Sequence, residues 1–129
     1  MKKILFLIAA LSIILLGCQK EPNTRKVKYQ IVGLNNPYKI IYFDKDGNTV
    51  KENITPTATN KIWKLEYTAS EGDLMYIYIE FKEKVSNNMG FTAGIYVDGK
   101  AYSQTKNFDL SVGDTIFKIR RSGVVPITN

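Results

Sequence analysis

From residue 27 onward, apolar and polar side chains alternate one for one in run after run. Val27, Tyr29 and Ile31 are spaced by Lys28 and Gln30, and Trp63, Leu65, Tyr67 and Ala69 by Lys64, Glu66 and Thr68. Met75, Ile77, Ile79 and Phe81 interleave with Tyr76, Tyr78 and Glu80, and Phe91, Ala93, Ile95 and Val97 with Thr92, Gly94 and Tyr96. A period of two belongs to a half-buried strand, because successive side chains point to opposite faces. No stretch beyond residue 26 repeats apolar residues at the helical i, i+3, i+4, i+7 spacing. Turn chemistry separates the runs: Asp46-Gly47 and Asp98-Gly99 are dipeptides of primed hairpin turns, which need positive φ. Strands are predicted near 27–33, 38–43, 49–54, 61–69, 74–82, 91–98, 100–106 and 115–121. One sheet of such strands would leave an apolar face wet, so two sheets packed face to face are expected. Trp63 is expected to be buried between them.

The first twenty residues obey a different rule. Lys2 and Lys3 precede thirteen uncharged residues, Ile4 to Leu16. A bilayer span needs ~20 apolar residues to cross ~30 Å of hydrocarbon. Thirteen is the length of a signal-peptide core. The run ends at Leu15-Leu16-Gly17-Cys18, which resembles the bacterial lipobox, and Cys18 is the one cysteine in the chain. That resemblance implies diacylglyceryl transfer to the Cys18 sulfur, cleavage before it, and acylation of the new amine. A nucleophilic role would call for a base beside the thiol, commonly histidine, and the sequence has none. The reading is therefore a signal peptide over residues 1–17, a lipidated tether over 18–26 and a β-sandwich domain over 27–129. Gln19-Lys20-Glu21 resembles the short charged export signal of Bacteroidota lipoproteins. Lipidation at Cys18 would hold the chain on the bacterial outer membrane, outside the cytoplasm, with surface display open.

Composition narrows the function classes. Without Lys2 and Lys3, 16 basic residues face 12 acidic ones, so residues 18–129 carry about +4, and no basic run exceeds Arg120-Arg121. A nucleic-acid reader would cluster its cations on one face, so no nucleic-acid partner is expected. Zinc has few ligands to choose from without histidine. The Tyr42–Asn53 stretch puts Asp44, Asp46 and Gly47 at calcium-loop positions three, five and six, yet Tyr42 and Asn53 fall at positions one and twelve, where carboxylates are needed. No metal or other cofactor is expected. Most carboxylates sit in turns or on presumed outer faces, where nothing raises their pKa, so the chain is not read as an enzyme. If Met75, Ile77 and Ile79 face the core, Tyr76 and Tyr78 face outward, and Tyr96 does so on the following strand, which is taken to pair with theirs. Exposed tyrosines offer rigid contact area and a hydroxyl; the alternative is that they stabilise the sheet by cross-strand pairing.

"VKYQIVG", "YKIIYFDKDGN", the tryptophan of "KIWKLEYTASEGDLMYIYI" and "GIYVDGKAY" follow one another in the order found in MmpS-like proteins. The chain resembles that family of small membrane-attached or lipid-attached proteins from about Val27 to Tyr102. Lys61-Ile62 stands where the family often has Leu-Pro, and the cysteine pair of mycobacterial members is absent. The resemblance implies an all-β, immunoglobulin-like antiparallel β-sandwich, and, for mycobacterial members, an accessory role beside exporters. The expected function is a lipid-anchored, non-enzymatic binding or accessory module for an envelope protein or glycan. Tyr76, Tyr78 and Tyr96 are the candidate contact residues. Two rivals stand beside it: a purely structural envelope lipoprotein, and an inhibitor or immunity lipoprotein that uses a loop such as Glu83 to Gly90 as a wedge.

Overall fold

The computed structural model describes residues 22–82, 90–106 and 118–128. Its eight strands are β1 (Thr24–Val32), β2 (Tyr38–Phe43), β3 (Thr49–Ile54), β4 (Ile62–Ser70), β5 (Leu74–Phe81), β6 (Thr92–Val97), β7 (Lys100–Lys106) and β8 (Lys118–Val124). They form two antiparallel four-stranded sheets of order β4-β1-β6-β7 and β3-β2-β5-β8. The expected all-β antiparallel sandwich is what the chain adopts, and no helix occurs among the described residues. Val27, Tyr29, Ile31, Ala93 and Ile95 of one sheet meet Ile40, Tyr42, Met75, Ile77, Ile79 and Phe81 of the other in a single core. These are the inward members of each alternation, so the period of two in the sequence is the burial period of the fold.

Turn chemistry follows the local residues closely. Asp98 (φ 49°) and Gly99 (φ 78°) both take left-handed backbone and close β6 onto β7 as a primed two-residue turn. Asp46-Gly47 departs from that expectation. Only Gly47 has positive φ there (76°), and its N–H donates to the Asp44 carbonyl. Asp44 Oδ1 accepts from the N–H groups of Asp46 and Asn48, which fixes a three-residue loop instead.

Two boundaries move by three residues. β1 begins at Thr24, so residues 24–26, read as tether, belong to the sheet. Lys26 is in register with Thr68. The apolar signal is missing there because Arg25 takes the inward position ahead of Val27 and pairs with Glu71 and Asp98 rather than entering the core. β8 runs on to Val124, past the expected end at Arg121. Gly123 continues the ladder opposite Met75, and the Tyr102 ring occupies the space a Cβ there would need. Residues 115–117 of the expected last strand lie outside the described residues. Trp63 is half-buried rather than enclosed, because β4 is the last strand on its side of the sheet.

The end of the sandwich where β1 begins is held by polar clasps. Arg25 Nη1 lies 2.8 Å from Asp98 Oδ2, and its Nε lies 3.4 Å from Glu71. Glu71 also accepts from the hydroxyl and N–H of Thr128. Hydrogen bonds from Lys26 N–H and then Arg25 hold Asp98 below its usual pKa. The Thr128 hydroxyl does the same for Glu71, and the Asn48 N–H for Asp44. Carboxylates with depressed folded pKa stabilise fully above their unfolded value, about 4, and lose that contribution as pH falls through the folded value. The thermal midpoint should therefore be flat above about pH 5 and decline below about pH 4. Arg25→Met should make the decline shallower, as circular dichroism melts from pH 7 to pH 2 would show. Identical acid profiles for the two proteins would remove Arg25 from the cause.

Candidate functional site

On the β3-β2-β5-β8 sheet the outward positions form a grid. Across β8, β5, β2 and β3, one row reads Arg120, Tyr78, Ile41, Lys51 and the next Lys118, Glu80, Lys39, Asn53. On the other side of the tyrosine row, Ser122 faces Tyr76, and the Tyr76 ring packs on Phe43 with centroids 5.2 Å apart. Leu74 and Val124 form the last pair. The face is thus an apolar centre of Ile41, Phe43, Tyr76 and Tyr78 bordered by Lys39, Lys51, Lys118 and Arg120. Glu80 is the one carboxylate in these rows; it accepts from the Tyr78 hydroxyl and lies 3.7 Å from Lys118 Nζ. Chemically, such a surface can stack apolar or sugar faces on its rings and meet acidic groups at its border.

Tyr96 does not belong to it. β5 pairs with β2 and β8, whereas β6 pairs with β1 and β7, so Tyr96 faces outward from the opposite sheet. The expected three-tyrosine patch is two separate places. The reason is the chain path: after β5 the chain crosses to the other sheet instead of turning back beside itself. On its own face Tyr96 lies opposite Lys28, whose Nζ sits 4.7 Å from the ring centroid. Its neighbours there are charged, with Lys64 and Glu66 of β4 forming a 3.8 Å ion pair. Tyr76 and Tyr78 do point away from the core as expected, and both are half-buried by their neighbours.

Alternation in Val50-Glu52-Ile54 places a carboxylate on the inner face of β3, a residue the sequence reading passed over. Glu52 Oε1 accepts from the Tyr42 hydroxyl at 2.5 Å, and Oε2 from Trp63 Nε1 at 3.4 Å. The Tyr42 and Trp63 rings lie 5.3 Å apart, so Glu52 joins the two sheets where β3 and β4 flank the opening. Deeper in, the Tyr29 hydroxyl shares a 2.7 Å hydrogen bond with Tyr67 and accepts from the Tyr76 N–H at 3.2 Å. Burial pushes the Tyr29 and Tyr67 hydroxyls up, and burial followed by Glu52 pushes Tyr42 up to about 12. These phenols stay protonated at neutral pH and are held in hydrogen bonds within the core.

An open cleft of about 470 Å³ lies between the β2–β3 loop and the β4–β5 turn, lined by Phe43, Asp44, Asp46, Tyr67, Asp73 and Leu74. Asp44 Oδ1 is occupied by two backbone N–H groups. Among the described residues no group of three or more acidic, histidine or cysteine side chains is placed to hold a metal ion. Among the described residues there is no helix long and apolar enough to cross a membrane. Cys18 and residues 83–89 of the expected wedge loop lie outside the described residues.

The fold and this face define an eight-stranded antiparallel β-sandwich with one aromatic, cation-bordered sheet surface. No family model matches the chain, and no curated protein is similar to it.

Proposed function

We propose that the chain is a lipid-anchored, non-enzymatic module of the bacterial cell envelope that presents the outer face of its β3-β2-β5-β8 sheet to an envelope partner, protein or glycan. The observation that carries this reading is the contiguity of Ile41, Phe43, Tyr76 and Tyr78 inside a border of Lys39, Lys51, Lys118 and Arg120. Aromatic residues are enriched in the centres of interfaces, and a few of them usually carry most of the binding energy. On the opposite sheet face Lys28 lies over Tyr96 and Lys64 pairs with Glu66, which leaves it less to offer. The Leu-Leu-Gly-Cys motif at residues 15–18 supports the anchor, and the lipid would place the module outside the cytoplasm, on the outer membrane.

A photo-crosslinking amino acid at position 78, compared in living cells with the same probe at position 96, tests the reading. A discrete adduct from position 78 and none from position 96 is expected. Adding Ile41→Asp should abolish the adduct while leaving the thermal midpoint within a few degrees of native, since Ile41 faces away from the core. Adducts from neither face would favour the purely structural lipoprotein. An adduct with a secreted attacking enzyme would favour the inhibitor.

A further inference from the structure

Five large hydrophobic side chains stand exposed among the described residues, and three of them gather at one end of the sandwich: Leu74 (64% exposed), Val124 (43%) and Ile127 (69%). Leu74 and Val124 are register partners across β5 and β8. The segment carrying Ile127 is stitched to the turn before Leu74: Val125 N–H donates to the Asp73 carbonyl, and Gly72 N–H to the Val125 carbonyl. Scattered exposed hydrophobics are ordinary, but a group at one place calls for an account.

The same turn receives the chain entering the fold. Glu71 N–H donates to the Asn23 carbonyl at 2.9 Å, and Thr24 is in register with Ser70. Cys18 lies six residue steps before Thr24. Even fully extended, that connection spans only about 20 Å. An acylated Cys18 would therefore keep this end, and no other, against the headgroup layer.

We propose that this end of the domain seats Leu74, Val124 and Ile127 in the headgroup region of the bilayer that holds the Cys18 acyl chains. The inference rests on the anchor reading above. A second copy of the chain is a poor occupant, because three side chains fall far short of the ~800 Å² per partner of a stable interface. Charge does not drive the contact. Arg25 is taken up by Glu71 and Asp98, and at the same end of the sandwich Lys26, Lys45 and Lys100 match Asp44, Asp46 and Asp73 in number. Contact then depends on apolar insertion and the covalent anchor, and should be indifferent to anionic lipid. Seated this way, the domain stands with its strands rising from the surface. Tyr78, four residues along β5 from Leu74, would ride ~13 Å above it, which suits a partner that itself stands on the membrane.

The test uses the acylated protein, expressed from the full precursor and reconstituted into vesicles of brominated phosphatidylcholine, with and without phosphatidylglycerol. Trp63, the one tryptophan, is an internal reference, since it lies toward the far end of β4 from Ser70. Its emission should be unaffected by bromine. Leu74→Trp and Ile127→Trp should each add blue-shifted emission that loses most of its intensity to the brominated chains, equally in both vesicles. Added emission quenched no more than that of Trp63 would overturn the seating, as would quenching confined to phosphatidylglycerol vesicles. Mass spectrometry of the same preparation separates the two levels: a protein without acyl chains overturns the anchor reading and the seating with it, whereas an acylated but unquenched protein overturns the seating alone.

Discussion

Tyr29→Ala should lower folding stability by about 3–5 kcal/mol, the range for truncating a buried aromatic. A domain of this kind possesses only ~5–15 kcal/mol in all. Tyr29 is fully buried, its ring meets Tyr42 and Tyr67 edge-on at 6.2 and 5.6 Å, and its hydroxyl serves both Tyr67 and the Tyr76 N–H. That N–H lies beyond Ile77, where the β2–β5 ladder ends, so the phenol stands in for a missing strand neighbour. Tyr29→Phe separates the two contributions. It keeps the ring and leaves the Tyr76 N–H and Tyr67 hydroxyl without that partner, at a cost of about 1–3 kcal/mol. Urea unfolding of the three proteins measures both steps. A phenylalanine variant as stable as the native chain would assign the whole effect to packing.

Cys18→Ala should abolish lipid labelling entirely. With a metabolically supplied alkyne fatty acid, the native protein should take up label and the variant none, and the variant should keep its first seventeen residues. Membrane retention should change with it, because two or more acyl chains make a stable anchor where one is marginal. Equal labelling of the two proteins would remove the anchor from the proposed function.

Which face each side chain takes was legible in the sequence; which strand lies beside which was not. Alternation alone placed Met75, Ile77 and Ile79 inward and Tyr76 and Tyr78 outward, and the fold agrees. Alternation carries no information on pairing, since any two strands with an apolar face satisfy it equally. By alternation alone Tyr96 reads as a neighbour of Tyr78, although the chain crosses to the other sheet between them. The partners Tyr78 does have, Ile41 and Arg120, lie 37 and 42 residues away, beyond the reach of any local pattern. Glu52 and Arg25 were missed for the opposite reason. Both occupy inward positions: the charge at Arg25 reads as the end of a strand, and Glu52, inside a predicted strand, carries no local sign of what it would bind. Those partners, Tyr42 and Trp63 for one, Glu71 and Asp98 for the other, become neighbours only once the sheets are stacked.

The entry of the chain through β1 has a mechanical consequence. Tension applied at Thr24 runs along a strand with neighbours on both sides, nine register pairs with β4 and six with β6. Antiparallel hydrogen bonds lie across the strand, so a pull along its axis loads the bonds together in shear, unlike a zipper opened one tooth at a time. A domain hung from its first strand in this way resists extraction from its own fold.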